Sequence, residues 1–200
     1  MRLIARNLSG ERGGEPVFGP LDFCVETAEA LVVTGENGSG KSTLLRIVAG
    51  LIEPSGGAVT LDGAGEETVA SSAHYLGHQN AMKTALSVEE NLKFWRDFQG
   101  EPNLEIDEAL EMVGLPEIGH LPFEYLSTGQ KRRASLARLL VSYRPIWLLD
   151  EPTAGLDARS ERQFAGLMQA HLDDGGLIVA ATHIPLGIDG AREMVLGNSI

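Results

Sequence analysis

Leu31-Val32-Val33-Thr34-Gly35-Glu36-Asn37-Gly38-Ser39-Gly40-Lys41-Ser42-Thr43-Leu44-Leu45 decides the fold of this chain. The apolar run before Gly35 reads as a buried strand, and Leu44, Leu45, Ile47 and Val48 read as the inner face of a helix. Between them the spacing is Gly-x-x-x-x-Gly-Lys-Ser, the phosphate-binding P-loop (Walker A), in the strand–loop–helix setting that the motif requires. Glycines let backbone N–H groups approach phosphate oxygens with no Cβ in the way. The helix N-terminus adds the positive end of its dipole. Gly35, Glu36, Asn37, Gly38, Ser39, Gly40, Lys41, Ser42 and Thr43 are therefore the expected nucleotide-binding residues. Lys41 would reach the outer phosphates and the Ser42 hydroxyl would ligate Mg2+. A glycine turn with an incidental lysine would explain the spacing, but not the strand and helix flanking it.

Two more apolar runs support the same core. Pro145-Ile146-Trp147-Leu148-Leu149 ends in Asp150-Glu151, and Leu177-Ile178-Val179-Ala180-Ala181-Thr182 ends in His183. Continuous apolar strands belong to parallel sheets covered on both faces, where ligands bind at the carboxyl ends. Asp150 is then placed to join the Mg2+ shell, and Glu151 to take a proton from an attacking water. Ser127-Thr128-Gly129-Gln130 is a capping box that opens a helix, and such a glycine-bearing tip is also an anion site.

Upstream, residues 2–8 and 17–25 read as strands joined by the turn-rich segment 10–16, and 58–62 as another. They form an expected antiparallel portion beside the nucleotide core. Residues 80–126 read as helical. Ser87-Val88-Glu89-Glu90 is a capping box ahead of the stripe Val88, Leu92, Trp95, and a second helix over about 105–113 stops at Gly114. In the strand 74–79, period-two alternation puts His74 and His78 on one face and Gln79 on the other. With no third ligand type nearby, these histidines are expected to be ordinary hydrogen-bonded ones. Cys24 is the single cysteine, so no internal disulfide forms, and an inert thiol on the more polar strand face is expected.

Two hundred residues with 43% hydrophobic content suit one α/β domain. Sixteen Lys and Arg against 28 Asp and Glu give a net charge of −12, which disfavours nucleic acid as a partner. Met1-Arg2-Leu3-Ile4-Ala5-Arg6 lacks a signal peptide's apolar centre, and no run has the length of a membrane span. A cytosolic chain is expected, with any membrane connection made through a partner.

Leu126-Ser127-Thr128-Gly129-Gln130 resembles the signature motif of ATP-binding cassette (ABC) ATPases. Asp157 in Ala154-Gly155-Leu156-Asp157 resembles their D-loop, Gln79 their Q-loop and His183 their switch histidine. The resemblance implies an α/β P-loop NTPase of the ABC ATPase fold. That fold has a mixed central sheet with helices on both faces, an N-terminal antiparallel β portion and a short α-helical subdomain. One domain would span 1–200, its core about 1–79 and 127–200, its helical insert about 80–126. The resemblance also implies a head-to-tail dimer with two ATP molecules and Mg2+. Ser127, Thr128, Gly129 and Gln130 of one copy would cover the γ-phosphate held by Lys41 of the other. Glu151 would be the catalytic base, His183 would contact the γ-phosphate, and Gln79 would sense the metal and the water. Two positions depart from the family pattern. Arg12 stands near the usual adenine-stacking aromatic and would stack through its guanidinium. Thr128 occupies a place where glycine is commoner.

Longer phrases narrow the resemblance: His74-Tyr75-Leu76-Gly77-His78-Gln79-Asn80, Gln130-Lys131-Arg132-Arg133, and Ala181-Thr182-His183-Ile184-Pro185-Leu186. These resemble the ATP-binding subunits of haem exporter and cytochrome c maturation complexes. Such a complex implies integral membrane subunits, a peripheral position on the cytoplasmic face of a bacterial inner membrane, and ATP hydrolysis tied to haem release from a periplasmic chaperone. Phe94, Trp95 and Phe98 are candidates for the docking groove, with Trp95 also fitting the insert's own core. The competing readings are a soluble ABC ATPase of iron–sulfur cluster assembly and the ATP-binding subunit of another ABC transporter, separable by what co-purifies. A GTPase or small-molecule kinase would leave Ser127–Gln130 and His183 without a role, and no Asn-Lys-x-Asp segment is present.

Overall fold

The computed structural model describes residues 1–197, so positions 198–200 of the expected core lie outside the described residues. Strands β1 (Arg2–Arg12) and β2 (Glu15–Glu26) precede β3 (Ala30–Thr34), helix α1 (Lys41–Val48) and β4 (Gly56–Asp62). A short α2 (Val69–Ser72), β5 (Ala73–Leu76), α3 (Val88–Gln99) and α4 (Ile106–Met112) follow. The chain then runs through α5 (Thr128–Val141), β6 (Ile146–Asp150), α6 (Ala158–Asp173), β7 (Leu177–Ala181) and β8 (Arg192–Val195).

β1 is the middle strand of an antiparallel three-stranded sheet ordered β2-β1-β4. The β1–β2 ladder runs out to Arg12↔Glu15, so the expected loop 10–16 shrinks to a turn at Gly13-Gly14. Both glycines take positive φ, 63° and 85°, which a two-residue hairpin turn needs. The second sheet has five strands ordered β5-β6-β7-β3-β8. Every pair in it is parallel, so the mixed character expected of the central sheet lies between the two sheets and not within this one. The P-loop strand β3 is thereby flanked by β7 and β8.

Why β6 and β7 are apolar throughout is visible in the two cores. Ile146, Leu148, Leu177 and Val179 pack with Leu44, Leu45 and Val48 of α1 and with Leu3 and Val25 of the antiparallel sheet. Trp147, Leu149, Ile178 and Ala180 pack on the opposite face with Leu136 and Ala137 of α5 and Phe164 and Met168 of α6. Successive side chains of one strand thus feed different cores. Leu148 is fully buried, and Leu148→Ala should cost about 3 kcal/mol. Urea unfolding checks this as a lower midpoint at unchanged slope.

In the insert, α3 and α4 pack on α5. The Ser87 hydroxyl accepts from Glu90 N at 3.0 Å, and the Glu90 carboxylate accepts from Ser87 N at 2.7 Å, closing the expected capping box. The histidine expectation needs correction. β5 ends at Leu76, so period-two alternation stops before His78, which is exposed. His74 alone is buried, its Nε2 2.9 Å from the Ser142 carbonyl and its Nδ1 3.0 Å from Gln99 Nε2. Burial lowers its pKa to about 3. Cys24 is half-buried, and the clean alternation expected around it is absent: Leu21 and Phe23 are half-buried too.

Candidate functional site

The site forms where β3, β6 and β7 end. Gly35 leaves β3 at φ 142°, and a Cβ there would collide with the Leu196 carbonyl, so only glycine fits. Gly40, at φ 95°, caps α1 and turns its first N–H groups toward the loop. Lys41 is buried, with 9% of the residue exposed. It donates to the carbonyls of Gly35 at 2.7 Å and Glu36 at 2.9 Å. Arg12, Val17, Asn37, Gly38, Gly40, Lys41, Ser42, Thr43, Asp150 and Glu151 line one cavity of about 270 Å³. Arg12 is thus on the wall of the phosphate cavity, exposed and free to lie flat against a planar ring.

The Ser42 hydroxyl donates to Asp150 Oδ1 at 3.0 Å. Asp150 is buried, and burial pushes its carboxyl up while the Ser42 hydrogen bond pulls it back. No cationic side chain forms an ion pair with it among the described residues. A desolvated carboxylate beside a hydroxyl is an oxygen donor set that fits Mg2+.

Glu151 sits one residue further along the strand end, at φ 46°, a conformation that costs a non-glycine residue about 1–3 kcal/mol. Its N–H donates to the Ala181 carbonyl at 2.8 Å. Its Oε1 lies 3.0 Å from His183 Nδ1, and its Oε2 accepts from the Thr182 hydroxyl at 3.1 Å. The carboxylate is therefore held from two sides and aimed along the edge of the P-loop cavity. Sequence reading missed Thr182, although its place at the end of an apolar strand, next to the histidine, was a usable signal.

Gln79 is exposed and lines a different groove of about 540 Å³, with Gly77, His78, Ala81, Trp95, Phe98, Arg46 and Arg138. The structure brings Ser42, Asp150, Glu151 and His183 together but leaves Gln79 outside the phosphate cavity. Along that groove Phe94 and Phe98 stack at 5.9 Å, Trp95 Nε1 donates to the Ala81 carbonyl at 2.9 Å, and the Arg138 guanidinium lies 3.7 Å from the Trp95 ring centre. Phe98 is 72% exposed.

Ser127 caps α5, its hydroxyl accepting from Gln130 N at 3.3 Å while the Gln130 side chain accepts from Ser127 N at 2.9 Å. Ser127 and Thr128 are exposed, Gly129 and Gln130 half-buried, and none of the four lines the P-loop cavity. A Cβ on Gly129 would come within 3.3 Å of the Gly155 carbonyl, so the glycine lets the helix tip meet the loop before α6. Asp157 caps α6 through Ser160 N at 2.8 Å, which holds its carboxyl below the usual range.

The described residues contain no helix long and apolar enough to cross a membrane. A family profile described as ABC transporter matches residues 18–154. The cytochrome c biogenesis ATP-binding export protein CcmA of Mesorhizobium japonicum is 65% identical over 194 residues, covering 96% of each chain. The protein of the same name from Brucella abortus is 62% identical over 192 residues, covering 96% of this chain and 89% of that one. Among solved structures, a putative ABC transporter ATP-binding protein from Pyrococcus furiosus superposes with a TM-score of 0.84 at 23% identity, covering 98% of both chains. A bacterial ABC transporter cassette, solved as a dimer, gives 0.83 at 23% identity over 98% of this chain and 95% of its own. At that identity these structures bear on the fold alone.

Proposed function

The chain belongs to the ABC transporter ATPase family, and from that membership we propose that it is the ATP-hydrolysing subunit of a cytochrome c biogenesis exporter, working in pairs against membrane partners. One observation carries this reading: Lys41, Ser42, Asp150 and Glu151 line one cavity, with His183 hydrogen-bonded to Glu151 beside it, while none of Ser127–Gln130 lines it. A helix tip built to meet an anion, but absent from the wall of its own phosphate cavity, needs a second copy to act on.

The roles are those the motifs and the family resemblance imply, and the arrangement of the residues supports them. The Lys41 ammonium and the loop N–H groups bind the outer phosphates. Arg12 stacks on the adenine. Ser42 and Asp150 would hold Mg2+, which would supply charge neutralisation at the phosphates. Glu151 accepts the proton of the attacking water, its carboxylate oriented by Thr182 and His183. The second copy's Ser127, Thr128, Gly129 and Gln130 close over the γ-phosphate, with Asp157 at the same face. Gln79, on the wall of the aromatic groove, reports whether a partner is seated.

The partners are integral membrane subunits of a haem-handling export complex, with this chain peripheral on the cytoplasmic face of an inner membrane. Two supports are the names of relatives at 54–65% identity and the exposed aromatic groove beside Gln79. Hydrolysis would drive haem handling and release of a haem-loaded chaperone. Native-membrane purification tests this: the membrane subunits should co-purify with this chain. Phe98→Ser should abolish that co-purification while leaving ATP affinity unchanged, because Phe98 is 72% exposed and lines the groove but not the phosphate cavity. Undiminished co-purification would move the docking surface elsewhere.

A further inference from the structure

Arg132, on α5 about one turn beyond the helix tip, is 5% exposed. Its guanidinium donates to four main-chain carbonyls: Nε to Pro152 at 3.1 Å, Nη1 to Gly77 at 3.0 Å, and Nη2 to Asp150 at 3.2 Å and Glu151 at 2.7 Å. No carboxylate side chain pairs with it among the described residues. A charge of this kind is costly to bury for packing alone. What it holds is the peptide run carrying Asp150 and Glu151, and in the same fork the carbonyl that precedes His78 and Gln79.

We propose that Arg132 is the positioning residue for Glu151. It fixes the main chain on both sides of the left-handed φ at Glu151 and bolts that peptide to the signature helix and the Q-loop. The proposal rests on Glu151 being the base. A residue at φ 46° returns to a commoner conformation unless its flanking peptides are held. On the N-terminal side the Glu151 N–H is held by the Ala181 carbonyl. On the C-terminal side, the Glu151 carbonyl is held by Arg132 at the shortest of its four bonds. Released from that bond, the peptide turns and carries the carboxylate off its line with Thr182 and His183. Because α5 also presents Ser127–Gln130 to the other copy, one guanidinium joins the helix that covers one ATP to the carboxylate that hydrolyses the other. Lysine cannot replace it: an ammonium is a point donor, whereas these four acceptors lie around a planar fork.

The test is steady-state ATP hydrolysis by the full chain, purified with its membrane subunits, for Arg132→Lys and Arg132→Gln. Expected is a fall in kcat of at least about tenfold with the Kd for ATP within about twofold of the unsubstituted protein, and an unchanged elution profile without nucleotide. In a Glu151→Gln background, Arg132→Lys should lower the residual turnover no further, since the group it positions has already lost its function. Full kcat in Arg132→Lys overturns the proposal. So does a parallel loss of kcat and ATP binding, an additive effect in the Glu151→Gln background, or failure of both variants to fold, each of which makes the residue structural. High turnover in Glu151→Gln alone would instead remove the base reading.

Discussion

Glu151→Gln lowers ATP turnover by about 10³-fold, while ATP still draws two copies of the chain together. The glutamine amide keeps the length of the side chain and can still accept from the Thr182 hydroxyl, which lies 3.1 Å from Oε2. What it cannot do is take a proton from water. Removing the carboxylate also removes a negative charge from the wall of the phosphate cavity, so triphosphate binds at least as tightly as before. Binding and closure then run ahead of a blocked chemical step, and the dimer accumulates. Light scattering with ATP, read beside phosphate release, measures both quantities. Wild-type turnover in this variant would remove Glu151 from the base role.

How much of this was readable beforehand depended on whether the signal was local. The strand, loop and helix around Gly35 carry their own evidence, because period, glycines and lysine lie within one short stretch. The β6 and β7 runs are equally plain, since a strand buried on both faces has to be apolar at every position. β8 was not legible. Arg192-Glu193-Met194-Val195 is mostly exposed and owes its extended form to pairing with β3, including a Glu193 carboxylate that accepts from the Thr34 hydroxyl at 2.7 Å. The facing of His78 failed for a related reason: alternation was extended past the point where β5 stops. In the site, residue types announced Ser42, Asp150 and Glu151, whereas His183 and Gln79 took their roles by resemblance; the fold sets His183 against Glu151 and Gln79 in the adjoining groove. Arg132 gave no sign at all. It stands in a run of basic residues, Lys131-Arg132-Arg133, legible only as part of a family phrase. Only the tertiary placement of four carbonyls reveals that one of the three is buried.

Lys41→Ala should raise the Kd for ATP by about 10²-fold or more, the loss expected from one or two charge-assisted hydrogen bonds of about 1.5–3 kcal/mol each. The lysine side chain is already ordered: its ammonium rests on the Gly35 and Glu36 carbonyls, and the residue as a whole is buried. Little side-chain entropy therefore remains to be lost when phosphate arrives, and the interaction appears in affinity. Calorimetry with ATP and with ADP checks the prediction, and equal affinity to the unsubstituted chain would mean that the loop N–H groups alone hold the phosphates. The two substitutions separate binding from chemistry because they act at opposite ends of one sequence of events. Glu151→Gln binds, closes and stalls, whereas Lys41→Ala fails before closure. If closure depends on a γ-phosphate held by one copy and covered by the other's Ser127–Gln130, the double substitution must behave as Lys41→Ala does. It should stay monomeric at ATP concentrations that fully dimerise Glu151→Gln. A double variant that dimerised would show that the copies meet through a surface with no bound phosphate between them.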